Sequence, residues 1–369
     1  MAMVEDCLKL GFGMMRLPKL DDGTIDVETT KGMVDDFLAA GGKYFDTAFV
    51  YPGSEEAVGE ALCKRYPRDS YYLASKLNAG AWAAKNEEEA KAQTATSLKR
   101  CGAGFFDFYL LHAISKDNIA YYDKYGIWDY VKGLKRDGLI KHYGFSFHDS
   151  PELLDKVLTD HPDVEFVQLQ INYTDWENPE VQSRANYEVA TRHGVPVVVM
   201  EPVKGGTLAT PPERVSAVLR EANPDVSYSS WAIRFVASLP NVMIVLSGMS
   251  APGQMADNLS FMRDFQPLSA DERQTITRAR EAFNAIDQIG CTVCHYCTGG
   301  CPVQMHIPVI FRVLNTYKLY ENLNKARGDY KKAEGPRASE CLQCGQCESA
   351  CPQHLPIIQL LEEAAQTLE

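Results

Sequence analysis

Between residues 8 and 265 the chain alternates two textures. Short runs of apolar, β-branched and aromatic residues recur, separated by longer stretches whose apolar positions step by three and four. The first texture predicts strands near 8–15, 43–47, 71–76, 106–111, 141–146, 165–169, 196–200 and 242–246. The second predicts helices near 28–40, 54–65, 86–101, 125–137, 151–158, 181–193, 226–238 and 253–263. The strands are apolar on both faces, as parallel strands covered by helices must be. Eight alternations of this kind predict an α/β fold, a closed (β/α)₈ TIM barrel rather than an open sheet. Local signals agree. Asn86 stands before Glu87, Glu88 and Glu89, a capping side chain followed by acids that suit the positive end of a helix. Pro151 follows Ser150 where a first-turn proline belongs. Trp231, Phe235 and Val236 have the spacing of a buried helix face.

A barrel of parallel strands sends every C-terminal strand end to one rim, where such barrels keep their chemistry. Asp46 ends the second strand and Tyr51 follows it; Lys76 ends the third and His112 the fourth. Ser146, Gln168 and the run Met200-Glu201-Pro202 end the next three. A tyrosine titrates near about 10, and an ammonium beside it favours phenolate and lowers that value. Asp46 would hold Lys76 charged, Tyr51 would pass a proton to a carbonyl oxygen as hydride reaches the carbon, and His112 would orient that oxygen.

The motifs Gly11-Phe12-Gly13-Met14-Met15-Arg16-Leu17, Phe45-Asp46-Thr47-Ala48 with Tyr51, Ser75-Lys76, Leu110-Leu111-His112 and Gly144-Phe145-Ser146 resemble those of the aldo/keto reductases. So do Gln168-Leu169-Gln170-Ile171-Asn172 and Asp257-Asn258-Leu259. The resemblance implies an NAD(P)-dependent carbonyl reductase or alcohol dehydrogenase whose catalytic tetrad falls on Asp46, Tyr51, Lys76 and His112. It implies that Ser146 and Gln168 hold the nicotinamide carboxamide. It sets Pro202, Val203 and Gly205 along the pyrophosphate, with further cofactor contacts at Gly13, Met14, Met200, Gly248, Gln254 and Asn258. Three departures stand out. Phe147 and His148 follow Ser146 where the family usually has asparagine, and Met200 replaces a stacking aromatic residue. The loop from Ser247 to Gln254 lacks the Lys and Arg that grip a 2′-phosphate, so both NAD and NADP stay open.

Past residue 268 the composition changes. Of 11 cysteines, eight lie beyond residue 290. Cys291-x-x-Cys294-x-x-Cys297-x-x-x-Cys301-Pro302 and Cys341-x-x-Cys344-x-x-Cys347-x-x-x-Cys351-Pro352 are two bacterial ferredoxin runs. By that motif the fourth cysteine serves the other cluster. One [4Fe–4S] then falls to Cys291, Cys294, Cys297 and Cys351, the second to Cys341, Cys344, Cys347 and Cys301. Between the runs Ile307, Ile310, Phe311, Leu314 and Tyr317 step at helical spacing, which predicts a small, mainly helical ferredoxin-like module. His295, His306 and His354 are placed to hydrogen-bond at the cluster rims. The domains expected are a barrel over 1–268, a linker helix over 269–290 and an iron–sulfur domain over 291–369. The whole resembles the branch of aldo/keto reductases with a C-terminal ferredoxin-like domain.

The remaining features bound the partners. A net charge of −12 argues against nucleic acid. No apolar run is long enough to span a membrane, and the first residues have no signal-peptide pattern, so a cytoplasmic protein with reduced thiols is expected. Cys7, Cys63 and Cys101 read as buried free thiols. A small carbonyl or alcohol substrate is expected in a pocket shaped by loops near 114–126 and 207–214, with a redox protein as possible electron partner. Two other readings remain: a barrel that binds a flavin or redox partner in an electron-transfer protein, and clusters that are structural or redox-sensing only.

Overall fold

A parallel strand has no exposed face to spare, and a sheet of such strands is stable when it closes on itself inside a jacket of helices. The computed structural model describes residues 3–81, 83–179, 181–291, 296–351 and 355–369. Among them run β1 (Leu10–Gly13), β2 (Tyr44–Asp46), β3 (Tyr72–Leu77), β4 (Phe106–Ile114), β5 (Ile140–Phe147), β6 (Phe166–Gln170), β7 (Val197–Met200) and β8 (Val242–Ser247). Each pairs in parallel with its successor, and β8 pairs with β1, which closes the barrel. The eight expected strands are all present.

The helices between them are α1 (Val27–Ala39), α2 (Ser54–Val58), α3 (Glu87–Cys101), α4 (Ile119–Lys124), α5 (Ile127–Arg136), α6 (Pro151–Asp160), α7 (Ser183–Arg192), α8 (Glu213–Ala222), α9 (Tyr228–Ala237), α10 (Pro252–Met262) and α11 (Ala270–Asn284). Their ends follow local chemistry. The side chain of Asn86 accepts from Glu89 N–H at the start of α3, and Gly102 closes that helix in a left-handed conformation. Ser150 caps α6 ahead of Pro151. Two segments differ from expectation. The stretch 114–126, read as a pocket loop, contains α4, and 207–214 runs into α8. At six residues α4 is too short to show a period, whereas α8 does carry one in Val215 and Leu219, both buried, and its start overlaps the end of the expected loop.

Two apolar layers result. The outer one lies between strands and helices and includes Phe37, Phe45, Leu73, Phe145 and Val199. The inner one fills the barrel with Tyr44, Ala74, Phe108, Leu110, Phe166, Val198, Ile244 and Leu246. Side chains alternate along a strand, so the residue two positions beyond each inner residue also points inward, one layer higher. Gly144 belongs to the inner face, where a Cβ would lie 2.2 Å from the carbonyl oxygen of Phe166. Only glycine lets β5 and β6 approach there while the Phe166 ring fills the space.

Packing divides the chain into two compact units, residues 1–211 with 219–278, and residues 212–218 with 279–369. Beyond α11, the second unit contains α12 (Tyr296–Gly299), α13 (Ile307–Tyr320), α14 (Leu323–Lys332), α15 (Gln346–Ala350) and α16 (Ile357–Leu368). It is mainly helical, as expected. Its core joins Ile307, Ile310, Phe311, Leu314, Ile357 and Leu361 to Cys297, Cys347 and Cys351. Among the described residues no helix is long and apolar enough to cross a membrane.

The close approach at Gly144 makes a prediction. Gly144→Ala should destabilise the barrel by about 1–3 kcal/mol through forced separation of β5 from β6. Gly104→Ala, whose Cβ meets nothing within 4 Å, should leave the unfolding midpoint in urea nearly unchanged. Equal midpoints for the two variants would refute the argument.

Candidate active site

Strand alternation builds the site. Tyr44, Ala74, Leu110, Phe166 and Val198 form the inner layer, and two residues further on stand Asp46, Lys76, His112, Gln168 and Met200. Ser146 follows Gly144 in the same way, and pairing sets Ser146 beside Gln168. The polar residues therefore rest on an aromatic and aliphatic floor that excludes water from below. After β2 the chain keeps bonding to β3: Thr47 N–H donates to the Ala74 carbonyl and Phe49 N–H to that of Lys76. That continuation carries Tyr51 back over Lys76.

The four expected catalytic side chains come together. Lys76 Nζ donates to Asp46 Oδ1 at 2.5 Å and to the Thr47 carbonyl at 2.7 Å. Both ionic side chains are almost wholly buried, Lys76 at 1% exposure and Asp46 at 5%. The ammonium lies 5.0 Å from the Tyr51 ring centroid. The Tyr51 and His112 rings meet edge to face, 5.6 Å between centroids and 82° between planes. Burial works against the Lys76 charge, but Asp46 and Tyr51 outweigh it and hold the ammonium above its ordinary range. Burial pushes the Asp46 carboxyl up, and Lys76 offsets this only in part.

One expectation needs correction. Lys76 does pull the Tyr51 phenol down, but burial pushes it up by more and Asp46 adds to the push, so the net direction is upward. Tyr51 therefore keeps its proton at neutral pH. His112 moves the opposite way: burial, the Lys76 charge and His148 hold its imidazole neutral, well below the usual histidine range. Its Nδ1 is buried without a partner.

Ser146 and Gln168, the two residues expected at a nicotinamide carboxamide, present a free donor and an open acceptor. Ser146 Oγ accepts from Ala113 N–H at 2.7 Å, which leaves its own proton to donate. Gln168 is buried, yet its Oε1 has no partner. A buried acceptor left open is unfavourable unless a ligand supplies a donor, and a carboxamide NH₂ fits that need. Beside the rim lies a cleft of about 180 Å³ whose lining includes Pro202, Val203, Gly205, Gly248, Gln254 and Asn258. Met14 stands apart from it, its side chain fully buried in the outer core. Gly13 ends β1 against Ser247, and Met200 ends β7 half-buried.

The sequence reading gave no role to several residues of this rim. Arg16 spans the cleft to Glu201 Oε1 at 3.2 Å. Lys204 is turned onto the buried Asp175, which also accepts from Asn172 Nδ2 at 2.7 Å and Gln170 Nε2 at 2.9 Å. The Asn172-x-x-Asp175 spacing is a turn signal that would have pointed to this anchor. Asn258 donates to Ser247 Oγ at 2.8 Å, and Gln254 Oε1 accepts from Ser250 N–H, also at 2.8 Å.

In the second unit Cys301, Cys341, Cys344 and Cys347 line one small pocket with Val303, Met305, Ile307 and Leu361. The fourth cysteine of the first run thus meets the first three of the second, as a crosswise cluster needs. Among the described residues no three such side chains converge as a single metal ion would require. Cys291, Cys297 and Cys351 join the apolar core of this unit, while Cys294, His295 and His354 lie outside the described residues. His306 precedes α13 and packs near Gly335.

Comparison with known proteins agrees with both units. The model of the aldo/keto reductase family matches residues 9–281, and that of a 4Fe-4S dicluster domain matches residues 290–356. An aldo-keto reductase of Mycolicibacterium smegmatis is 29% identical over 242 residues, 65% of this chain and 78% of that relative. Aldo-keto reductase str7 of Strobilurus tenacellus is 28% identical over 210 residues, and the match spans 59% of its length and 54% of this chain. An aldo-keto reductase of Bacillus halodurans in its holo form superposes with a TM-score of 0.59 at 24% identity, covering 73% of this chain and 91% of that one. One of Klebsiella pneumoniae in complex with NADPH gives 0.55 at 19%, covering 73% and 90%. At such identities these structures speak to the fold.

Two predictions follow from the buried charges. Lys76→Met leaves Asp46 buried without its counter-ion and should cost about 3–5 kcal/mol of stability in urea unfolding. Asp46→Leu combined with Lys76→Met should recover most of that loss, and a double variant as unstable as the single would refute the reading. His112 generates the second. Its folded value is lowered, so the unfolded chain binds a proton that the folded chain refuses, and stability is retained above about 6.5. Stability should fall as the pH drops from there toward the folded value. His112→Gln should flatten that dependence in urea unfolding between pH 7 and 5.5; an unchanged slope would exclude His112 as its source.

Proposed function

The chain belongs to the aldo/keto reductase family and carries a 4Fe-4S dicluster domain, and from that premise we propose that it reduces a small-molecule carbonyl, or oxidises the matching alcohol. The observation that carries this reading is one cup holding a protonated phenol, a buried ammonium and a neutral imidazole. The nicotinamide dinucleotide that Ser146 and Gln168 would hold would supply hydride to the carbonyl carbon. Tyr51 gives its proton to the carbonyl oxygen, and the phenolate it becomes is stabilised by Lys76. Asp46 keeps Lys76 charged and in place. His112, neutral, donates a hydrogen bond that orients the same oxygen. In alcohol oxidation the proton returns to Tyr51.

Ser146 and Gln168 are the residues we assign to the carboxamide, and the cleft at Gly205, Gly248 and Asn258 to the pyrophosphate and ribose. Both NADH and NADPH stay open as donors: Gln254 is turned onto Ser250, while Arg16 lines the cleft in an exposed pair with Glu201 that a 2′-phosphate could displace. The Klebsiella relative was solved with NADPH, which makes a comparison of both nucleotides the natural test. In the second unit we assign two [4Fe–4S] clusters, one to Cys291, Cys294, Cys297 and Cys351, the other to Cys341, Cys344, Cys347 and Cys301. They would exchange single electrons with a redox protein, in the cytoplasm. The shared pocket of four thiols supports the second assignment.

The decisive experiment follows NADH and NADPH oxidation with a panel of aldehydes and ketones under anaerobic conditions. Tyr51→Phe should lower kcat by about 10²–10⁴-fold while nucleotide affinity holds. Undiminished turnover would remove Tyr51 as the acid. Iron analysis should return about eight irons per chain, and half that number would leave one cysteine set without a cluster.

A further inference from the structure

The strand carrying His112 does not run straight to its end. Pairing between β4 and β5 slips between Leu111 and Ile114, and within the slip Ala113 has φ +57°. A non-glycine residue in this left-handed conformation persists only where its surroundings hold it. Here three side chains hold it. Tyr122 Oη donates to the His112 carbonyl at 2.6 Å. Ser146 Oγ accepts from Ala113 N–H at 2.7 Å. Asn118 Nδ2 donates to the Ala113 carbonyl at 2.6 Å, while its Oδ1 accepts from Ser115 N–H at 3.0 Å.

The His112 ring itself is held far less. Its Nδ1 is buried without a partner, and its contact with Tyr51 is an edge against a face. The aim of the imidazole is therefore inherited from its backbone. That backbone is fixed by the peptide between His112 and Ala113, gripped on its oxygen by Tyr122 and on its nitrogen by Ser146. Tyr122 lies in α4 and is fully buried, so its hydroxyl sits on a rigid support. A bulge that re-aims one side chain beside an active site is a recurrent device.

We propose that Tyr122, with Asn118, is a positioning residue for His112. The two lock the left-handed turn at Ala113 and so aim the imidazole at the carbonyl oxygen held by Tyr51. This rests on the roles assigned above to Tyr51 and His112. Neither Tyr122 nor Asn118 touches substrate in this scheme.

The test is a double-mutant cycle on the intact, cluster-loaded protein. Tyr122→Phe should lower kcat about tenfold, the scale of a misaimed group, with nucleotide dissociation constants unchanged. In a His112→Ala background the same substitution should have no further effect, since it acts through the missing imidazole. A non-kinetic readout is the His112 imidazole NMR signal, assigned by its loss in His112→Ala, which should move in Tyr122→Phe. Full kcat in Tyr122→Phe, or an equal fall with and without His112, would overturn the positioning role while leaving the active-site reading intact. Undiminished turnover in Tyr51→Phe would instead bring down that reading, and the positioning role with it. Should Tyr122→Phe not fold, Asn118→Ala carries the same cycle and the same expectations.

Discussion

The structure depends on a charge pair sealed inside the barrel. A lysine and an aspartate each lose much by leaving water, and they persist together only where geometry restores what solvent gave. Lys76 meets that condition with two short bonds, one to Asp46 and one to the carbonyl of Thr47. The strands provide the geometry. Asp46 pairs across to Ala74, and Lys76 stands two residues further along the same strand, so both project from one inner face. The Tyr44 and Phe108 rings, 5.0 Å between centroids, belong to the apolar layer beneath. Burial is the larger influence on the neighbours, keeping the Tyr51 phenol protonated and the His112 imidazole neutral, and the ammonium comes second, pulling the phenol down and reinforcing the neutral imidazole.

Much of this was legible in the sequence because it depends on period and direction. A strand period of two and one shared strand polarity were enough to gather Asp46, Lys76, His112, Ser146 and Gln168 at one rim. What the sequence hid depends on sums over neighbours far apart in the chain. The net direction of the Tyr51 phenol is such a sum: the lysine was visible, whereas the burial that outweighs it belongs to the folded cup. The slip at Leu111–Ile114 was hidden for a related reason. A bulge is a property of two paired strands, and nothing in Leu111-His112-Ala113-Ile114 alone calls for a left-handed alanine. Tyr122 packs with its ring, and its hydroxyl acquires a task only where the fold sets it against the His112 carbonyl.

The cysteine unit shows the opposite balance. Its candidate ligands were legible at once, because the eight cysteines stand in two runs of ferredoxin spacing. The crosswise arrangement proposed for them came from the motif, and the pocket shared by Cys301 with Cys341, Cys344 and Cys347 supports it. The helical character was readable as well, since α13 supplies Ile307, Ile310, Phe311 and Leu314 to a core that the cysteines complete. On the proposed assignment, a unit whose core includes Cys297, Cys347 and Cys351 would gain folding energy from what it binds, and deleting one of those thiols would disturb stability and redox role together.

The rim concentrates backbone strain as well as charge. Ala113, Glu201 and Lys204 are non-glycine residues at positive φ; Ala113 lies in the slip near the end of β4, and the other two follow β7. Two of them are tied by groups from elsewhere: the Ala113 peptide by Ser146 and Asn118, and the Lys204 side chain by the buried Asp175. Regular strands can set spacing, but their side chains leave the sheet at fixed angles. Turning a loop over the barrel mouth, or an imidazole toward a phenol, needs a departure from those angles. Such a departure lasts only where buried bonds outweigh the preference of the backbone to relax. The barrel thus divides the labour: unstrained strands carry the charge pair, and strained, tethered turns do the aiming.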